Sequence, residues 1–189
     1  GACAAGLSAG LKDQGSGVAA VGGLSLGGCS ALCCAGVFGA ATAGSLAAFG
    51  GKAREQAVAG RPCGMAAILG LDREALGAAC AQAAQTTGGV VEIANYNCPG
   101  QMAIAGDQAA VDAACEAAKA AGAKRCVPLK VSGPFHTALM APAGDALREK
   151  FKEVSFGEMS CPVYFNCLGG PKADSDPIPA LPEKQVQSS

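Results

Sequence analysis

The sequence predicts an α/β protein in which a small strand-and-helix unit interrupts a larger one, and three observations predict it. A short apolar run, Val18–Val21, leads into Gly23-Leu24-Ser25-Leu26-Gly27 and at once into a helix-prone segment. Strand and helix patterns then alternate regularly from about Arg61 to Lys130. After that stretch a further amphipathic helix and a further strand follow, so the main domain is assembled from two separated pieces. The expected boundaries are 1–60 for the first piece, 61–130 for the inserted unit and 131–189 for the second piece.

Each element has a local reason. Gly1 to Gly15 reads as the remnant of a helix and a loop ahead of the Val18–Val21 strand. Cys29–Ala35 reads as the first helix, with Gly36 at its C-terminal cap. Phe38–Val58 reads as a second helix, weakened by about 1 kcal/mol at each of Gly50 and Gly51, where a kink or break is expected. Met65–Leu69 is a strand, Asp72 caps a helix to Ala84, and Val90–Asn95 is a second strand. Cys98-Pro99-Gly100 turns into the strand Met102–Ala105, Gln108–Ala121 is a helix closed by Gly122, and Arg125–Val131 is the fourth strand. That order, βαββαβ, is the ferredoxin-like pattern. Thr137–Val154 is an amphipathic helix, Val163–Asn166 a strand, and Glu183–Ser189 a last helix that stops mid-turn.

The totals exclude several function classes. With 189 residues the chain can bury a sizeable core. Its net charge is −1, only 15% of residues are charged and no basic cluster stands out, which argues against a nucleic-acid surface. Six Phe, two Tyr and no Trp leave little for base stacking. The run Gln14–Gly51 carries no charge and invites a membrane hairpin, but it is mostly Ala, Gly and Ser, and no membrane span is expected. The eleven cysteines are odd in number and form no C-x-x-C pair, and with one histidine in the chain no metal site is expected. They read as small buried hydrophobes in a reducing compartment, with a reactive thiol at Cys33 or Cys34 as the competing reading.

The segment Gly23–Gly27 fits G-x-S-x-G, the nucleophile-elbow pattern. A serine on a strained strand-to-helix turn projects its hydroxyl away from the sheet, and the next helix aims its N-terminus at an oxyanion forming there. The flanking glycines are expected to let neighbouring backbone pass close by, with Gly27 and Gly28 thinning the first helical turn. In a chain with 28 glycines the pattern also arises by chance. His136 is the only histidine, hence the only neutral-pH proton acceptor available to Ser25, and it lies in Gly133-Pro134-Phe135-His136-Thr137, where the inserted unit hands back to the main domain. A lone histidine is also commonly structural.

Over nearly its whole length the chain resembles the malonyl-CoA:acyl-carrier-protein transacylases of fatty-acid synthesis. GLSLGGCSAL resembles the family's nucleophile segment, GMAAILGLD and NYNCPGQMAIAG its insert, VSGPFHTALMAPA its histidine segment and PVYFN a later strand. The resemblance implies an α/β-hydrolase-like acyltransferase core with a ferredoxin-like insert. It also implies a malonyl group carried on Ser25, deprotonated by His136, from malonyl-CoA to the phosphopantetheine thiol of acyl carrier protein. The Leu26 backbone N–H would be an oxyanion donor, and Asn97 would line the acyl cleft or stabilise its turn. No cofactor is implied, and the chain is expected to act as a monomer. The Leu24 variant of the elbow resembles the plastid-type branch, so the chloroplast stroma is the expected location, with mitochondrion or cytoplasm as alternatives.

The departures from the family pattern are specific. The arginine that holds the malonyl carboxylate falls at Gly50 in Phe49-Gly50-Gly51-Lys52, and Arg54, one helical turn on, is the candidate substitute. Gly28 stands in place of an acidic residue and Cys29 in place of an aromatic. The family's N-terminal G-Q-G segment and its C-terminal segment are expected to be missing, so the chain reads as incomplete at both ends. The rival readings are a degenerate non-catalytic homologue, a serine thioesterase or hydrolase, and an acyltransferase domain of a larger polyketide or fatty-acid synthase.

Overall fold

A computed structural model describes residues 17–131, 133–171 and 177–187. The expected helix before residue 16 lies outside the described residues. The chain divides into two compact units, Gly1–Ala53 with Gly144–Gln185 and Arg54–Ala143 with Val186–Ser189.

In the first unit, β1 (Val21–Gly23) pairs in parallel with β6 (Val163–Phe165), in the register Val21↔Val163 and Gly23↔Phe165, and β6 pairs antiparallel with β7 (Gly170–Pro171). β1 begins three residues later than Val18, because partner strand β6, and not β-propensity, sets where pairing occurs. Val163 and Phe165 are buried while Tyr164 between them is exposed, the period-two pattern of a strand with one covered face. Helix α1 (Gly27–Cys34) ends in two bonds, Val37 N–H to Leu32 O and Gly36 N–H to Cys33 O, with Gly36 left-handed at φ 84°. This is the Schellman arrangement that satisfies the last carbonyls. Helix α2 (Ala40–Ala57) runs unbroken through Gly50 and Gly51, so the expected kink is not found; Gly50 lies on its buried side with Ala43, Leu46 and Ala53. Phe38, Phe156 and Phe151 form an edge-to-face series with ring centroids 5.9 and 5.7 Å apart.

The second unit holds β2 (Cys63–Leu69), α3 (Arg73–Thr87), β3 (Val91–Cys98), β4 (Gln101–Asp107), α4 (Gln108–Ala120) and β5 (Arg125–Leu129). The sheet order is β3-β4-β2-β5 with every neighbour antiparallel, the βαββαβ succession read from the sequence. Both helices cover one face, where Ile68, Leu76, Ile104, Val111 and Ala114 form the core. On the opposite face Met65, Ala94, Ala103 and Ala105 form a smaller cluster against which Phe135 packs. Asp72 caps α3 by accepting from Ala75 N–H at 2.8 Å, and the helix continues past Ala84 until Gly88 turns left-handed at φ 69°. Asp107, at the end of β4, accepts from Val90 N–H at 2.7 Å and from Arg61 Nη2 at 2.8 Å, tying the start of β3 and the chain before β2 together.

Two helices begin three or four residues from their expected starts, and proline stands in the first turn of both. Instead of a helix from Thr137, a 3₁₀ turn spans Ala138–Met140 and α5 spans Ala141–Phe151, with Pro142 in its first turn, where a missing N–H costs nothing. The last helix, α6, begins at Ala180 and not Glu183, with Pro182 again in the first turn. The cysteines also differ: of the ten described, Cys80 is buried, Cys98 is exposed and the rest are half-buried. Four of the half-buried thiols lie on helices (Cys29, Cys33, Cys34, Cys115), two on strands (Cys63, Cys126) and two in connections (Cys161, Cys167), as small side chains accepted at the margin of the core.

Candidate active site

Ser25 sits between β1 and α1 with a left-handed backbone, φ 53°. For a residue with a Cβ this conformation costs about 1–3 kcal/mol and persists only where the surroundings impose it. Here the turn is closed by Gly27 N–H to Leu24 O at 2.9 Å and Gly28 N–H to Ser25 O at 3.0 Å. The glycine that the turn requires is Gly23. A Cβ there would fall on the Gly27 carbonyl group and 2.6 Å from Gly28 N, so the incoming strand and the outgoing helix touch backbone to backbone. Gly27, expected to thin the helix, has open space where its Cβ would go. Leu26 occupies the N-cap position of α1, whose first turn carries no acidic residue, so no side-chain charge opposes an anion gathering at those N–H groups.

The Ser25 N–H donates to Asn166 Oδ1 at 3.4 Å. Asn166 follows β6 directly, and both residues therefore lie past the C-terminal ends of two parallel strands, where crevices form in open α/β sheets.

His136 belongs to the second unit and is 7% exposed, with φ 61°. Its loop is held from both sides. Thr137, fully buried, donates from Oγ1 to Pro134 O at 2.7 Å, and Glu92 Oε2 accepts from Ala138 N–H at 2.8 Å. Among the described residues, Ser25 and His136 are the two non-glycine positions with positive φ. They are also the two residues that the sequence singles out for chemistry. Strain of this kind collects at functional sites.

The remaining candidates are less distinctive. Arg54 is half-buried in the last turn of α2, four residues after Gly50 on the same helix. Asn97 is exposed on β3, where the ladder shifts register between Tyr96 and Cys98, and Arg73 stacks over Tyr96 with its guanidinium carbon 4.6 Å from the ring centroid. Ser25 and Leu26 thus lie in the first unit, and Arg54, Asn97 and His136 in the second. Cys33 and Cys34 are half-buried on α1. Burial pushes the Cys80 and Cys115 thiols up to about 11, which keeps both protonated at neutral pH and poor as nucleophiles. Among the described residues no three His, Cys, Asp or Glu are grouped to hold a metal, and no helix is long and apolar enough to cross a membrane.

Three supporting residues escape the sequence reading: Asn166, Glu92 and Thr137. Asn166 has a signal in PVYFN, a buried strand that ends on an amide. Glu92 and Thr137 have none, since their roles depend on a loop closing over distant chain.

A mixed α/β fold with a serine at a left-handed strand-to-helix turn defines an α/β protein with a nucleophile-elbow-type turn. No family-level sequence profile matches the chain. It is 48% identical over 144 residues to the malonyl CoA-acyl carrier protein transacylase of Escherichia coli O157:H7, covering 76% of this chain and 46% of that one. It is 42% identical over 144 residues to the Bacillus subtilis transacylase, covering 76% of this chain and 45% of the relative. A solved acyl-carrier-protein S-malonyltransferase from Burkholderia pseudomallei superposes with a TM-score of 0.90 at 39% identity, over 99% of this chain and 61% of that one. A malonyl-transacylase solved with its type II polyketide acyl-carrier protein gives 0.92 at 36% identity, over 98% and 60%. The chain belongs to the malonyl-CoA:acyl-carrier-protein transacylase family, and it spans about half the length of the curated relatives it matches.

Proposed function

We propose that this chain transfers a malonyl group from malonyl-CoA to the phosphopantetheine thiol of acyl carrier protein in fatty-acid biosynthesis. The first unit is the α/β-hydrolase-like core and the four-stranded sheet of the second is its ferredoxin-like insert. His136 takes the Ser25 hydroxyl proton as Oγ attacks the thioester carbonyl. The Leu26 N–H stabilises the tetrahedral oxyanion, and loss of such a donor typically costs about 3 kcal/mol. Collapse expels CoA, whose sulfur takes the proton from the imidazolium and leaves a malonyl-seryl ester. In the second half-reaction the carrier thiol gives its proton to His136 and attacks that ester, and Ser25 Oγ leaves and recovers the proton. Arg54 pairs with the malonyl carboxylate, and Asn97 lines the acyl cleft. The chain acts as a monomer in the plastid stroma.

The observation that carries this reading is the coincidence of Ser25 and His136 with the two left-handed non-glycine backbones among the described residues, in a chain 48% identical over 144 residues to a named transacylase. The test is mass spectrometry after exposure to malonyl-CoA. An adduct of malonyl mass on the Ser25 peptide, lost in His136→Ala, is the expected result. A second reading, a non-catalytic homologue, is favoured by Gly50 at the position where the family resemblance calls for arginine. An unmodified Ser25 peptide in the wild-type chain would establish that reading instead.

A further inference from the structure

We infer that Asn166 is a positioning residue: its carboxamide oxygen holds the backbone of Ser25 in the left-handed conformation that presents the hydroxyl. The inference rests on the proposed acyl-transfer role for its catalytic consequence, but the contact itself stands on geometry. Ser25 N–H reaches Asn166 Oδ1 at 3.4 Å across 141 residues of chain. A left-handed serine, φ 53°, persists only where its surroundings hold it, and the Asn166 acceptor on its N–H is one such hold, satisfying the donor within the turn.

Asn166 is itself fixed from behind. Its strand is held by the parallel register that pairs Gly23 with Phe165, so the two chains leave the sheet side by side, one residue before Asn166 and two before Ser25. It then enters a closed turn. Leu168 N–H donates to Phe165 O at 3.1 Å and Gly169 N–H to Asn166 O at 3.2 Å, and Gly169 takes the left-handed conformation, φ 63°, that lets the turn complete. Phe165, 2% exposed, anchors the last strand residue in the core. The Asn166 side chain therefore starts from a backbone with little freedom and can act as a stop against which the Ser25 turn is set. An amide at the end of a buried strand, otherwise without a function in PVYFN, has one here.

The test uses the full chain with Asn166→Leu, which removes the acceptor at nearly constant volume, and Asn166→Asp, which restores an oxygen in the same place. Two readouts are taken. Amide hydrogen exchange at Ser25 is expected to accelerate about tenfold in Asn166→Leu and to return toward wild type in Asn166→Asp, in keeping with the loss of one hydrogen bond. Val21 N–H, bonded to Pro162 O at 2.9 Å in the same sheet, is expected to keep its protection in both variants. The single-turnover rate of Ser25 acylation by malonyl-CoA is expected to fall about tenfold in Asn166→Leu at an unchanged half-saturating concentration, with rescue by aspartate. Unchanged Ser25 exchange in Asn166→Leu overturns the inference whatever the activity. Equal loss of protection at Ser25 and Val21 also overturns it, because Asn166 then supports the strand and not the turn. A wild-type chain that exchanges as expected but never acylates refutes the proposed function and leaves the contact established.

Discussion

Glu92, on β3, accepts a 2.8 Å hydrogen bond from the backbone N–H of Ala138, two residues past His136 and 46 residues along the chain. The sheet of the second unit thus reaches up and holds the loop that carries the imidazole. Glu92→Ala is expected to cost about 1 kcal/mol in stability and to speed amide exchange across residues 136–140. Glu92→Gln keeps an acceptor and is expected to leave both near wild type. Exchange by mass spectrometry with a denaturant midpoint checks the pair.

Thr137→Val preserves shape and deletes the 2.7 Å bond to Pro134 O in a fully buried position. Because the carbonyl stays buried without its donor, the expected cost is about 1–2 kcal/mol. Urea unfolding at constant m-value is the measurement.

Gly23→Ala places a methyl group on the Gly27 carbonyl, and neither the strand nor the helix can give way without breaking the turn. A loss of about 2–3 kcal/mol is expected, together with loss of Ser25 acylation. The contrast is Gly27→Ala, which meets open space and is expected to be tolerated.

Asp107 supplies a pH signature. Arg61, hydrogen-bonded to it, and then the Val90 N–H hold its carboxyl below its ordinary value of 3.8. A carboxylate whose folded pKa is depressed contributes stability that is whole above the unfolded value and fades as pH falls through the folded one. The gap in urea midpoint between wild type and Asp107→Asn is therefore expected to be full at pH 6 and to close below about pH 4.

Arg54→Ala tests the carboxylate pairing. If the guanidinium holds the malonyl group, preference for malonyl over acetyl thioesters is expected to fall about tenfold, as competing single-turnover rates report. Unchanged preference assigns that recognition elsewhere.

The sequence carries the second unit almost whole, because each of its signals is local. Asp72 caps its helix with its own side chain, Gly88 and Gly122 turn left-handed where the helices stop, and the apolar run Met65–Leu69 becomes a strand paired on both sides. The first unit is less legible. β1 is three residues long, two of them glycine, and it exists because Val163–Phe165 lies beside it 142 residues later. The same limit hides the supports of the candidate site. Ser25 and His136 can be picked out from a motif and from scarcity, whereas Asn166, Glu92 and Thr137 acquire meaning only once distant backbone arrives within hydrogen-bonding reach.

The left-handed backbones at Ser25 and His136 fall on residues that bear a Cβ, in a chain where glycine is otherwise abundant and would adopt the same conformation without penalty. Glycine at 25 or 136 would take up that backbone conformation without strain, at the cost of the hydroxyl or the imidazole. Lineages released from selection for the chemistry would be free to slide toward that more comfortable choice. Serine and histidine retained at these two places in a descendant are then a mark of a working copy, and glycine the mark of a retired one.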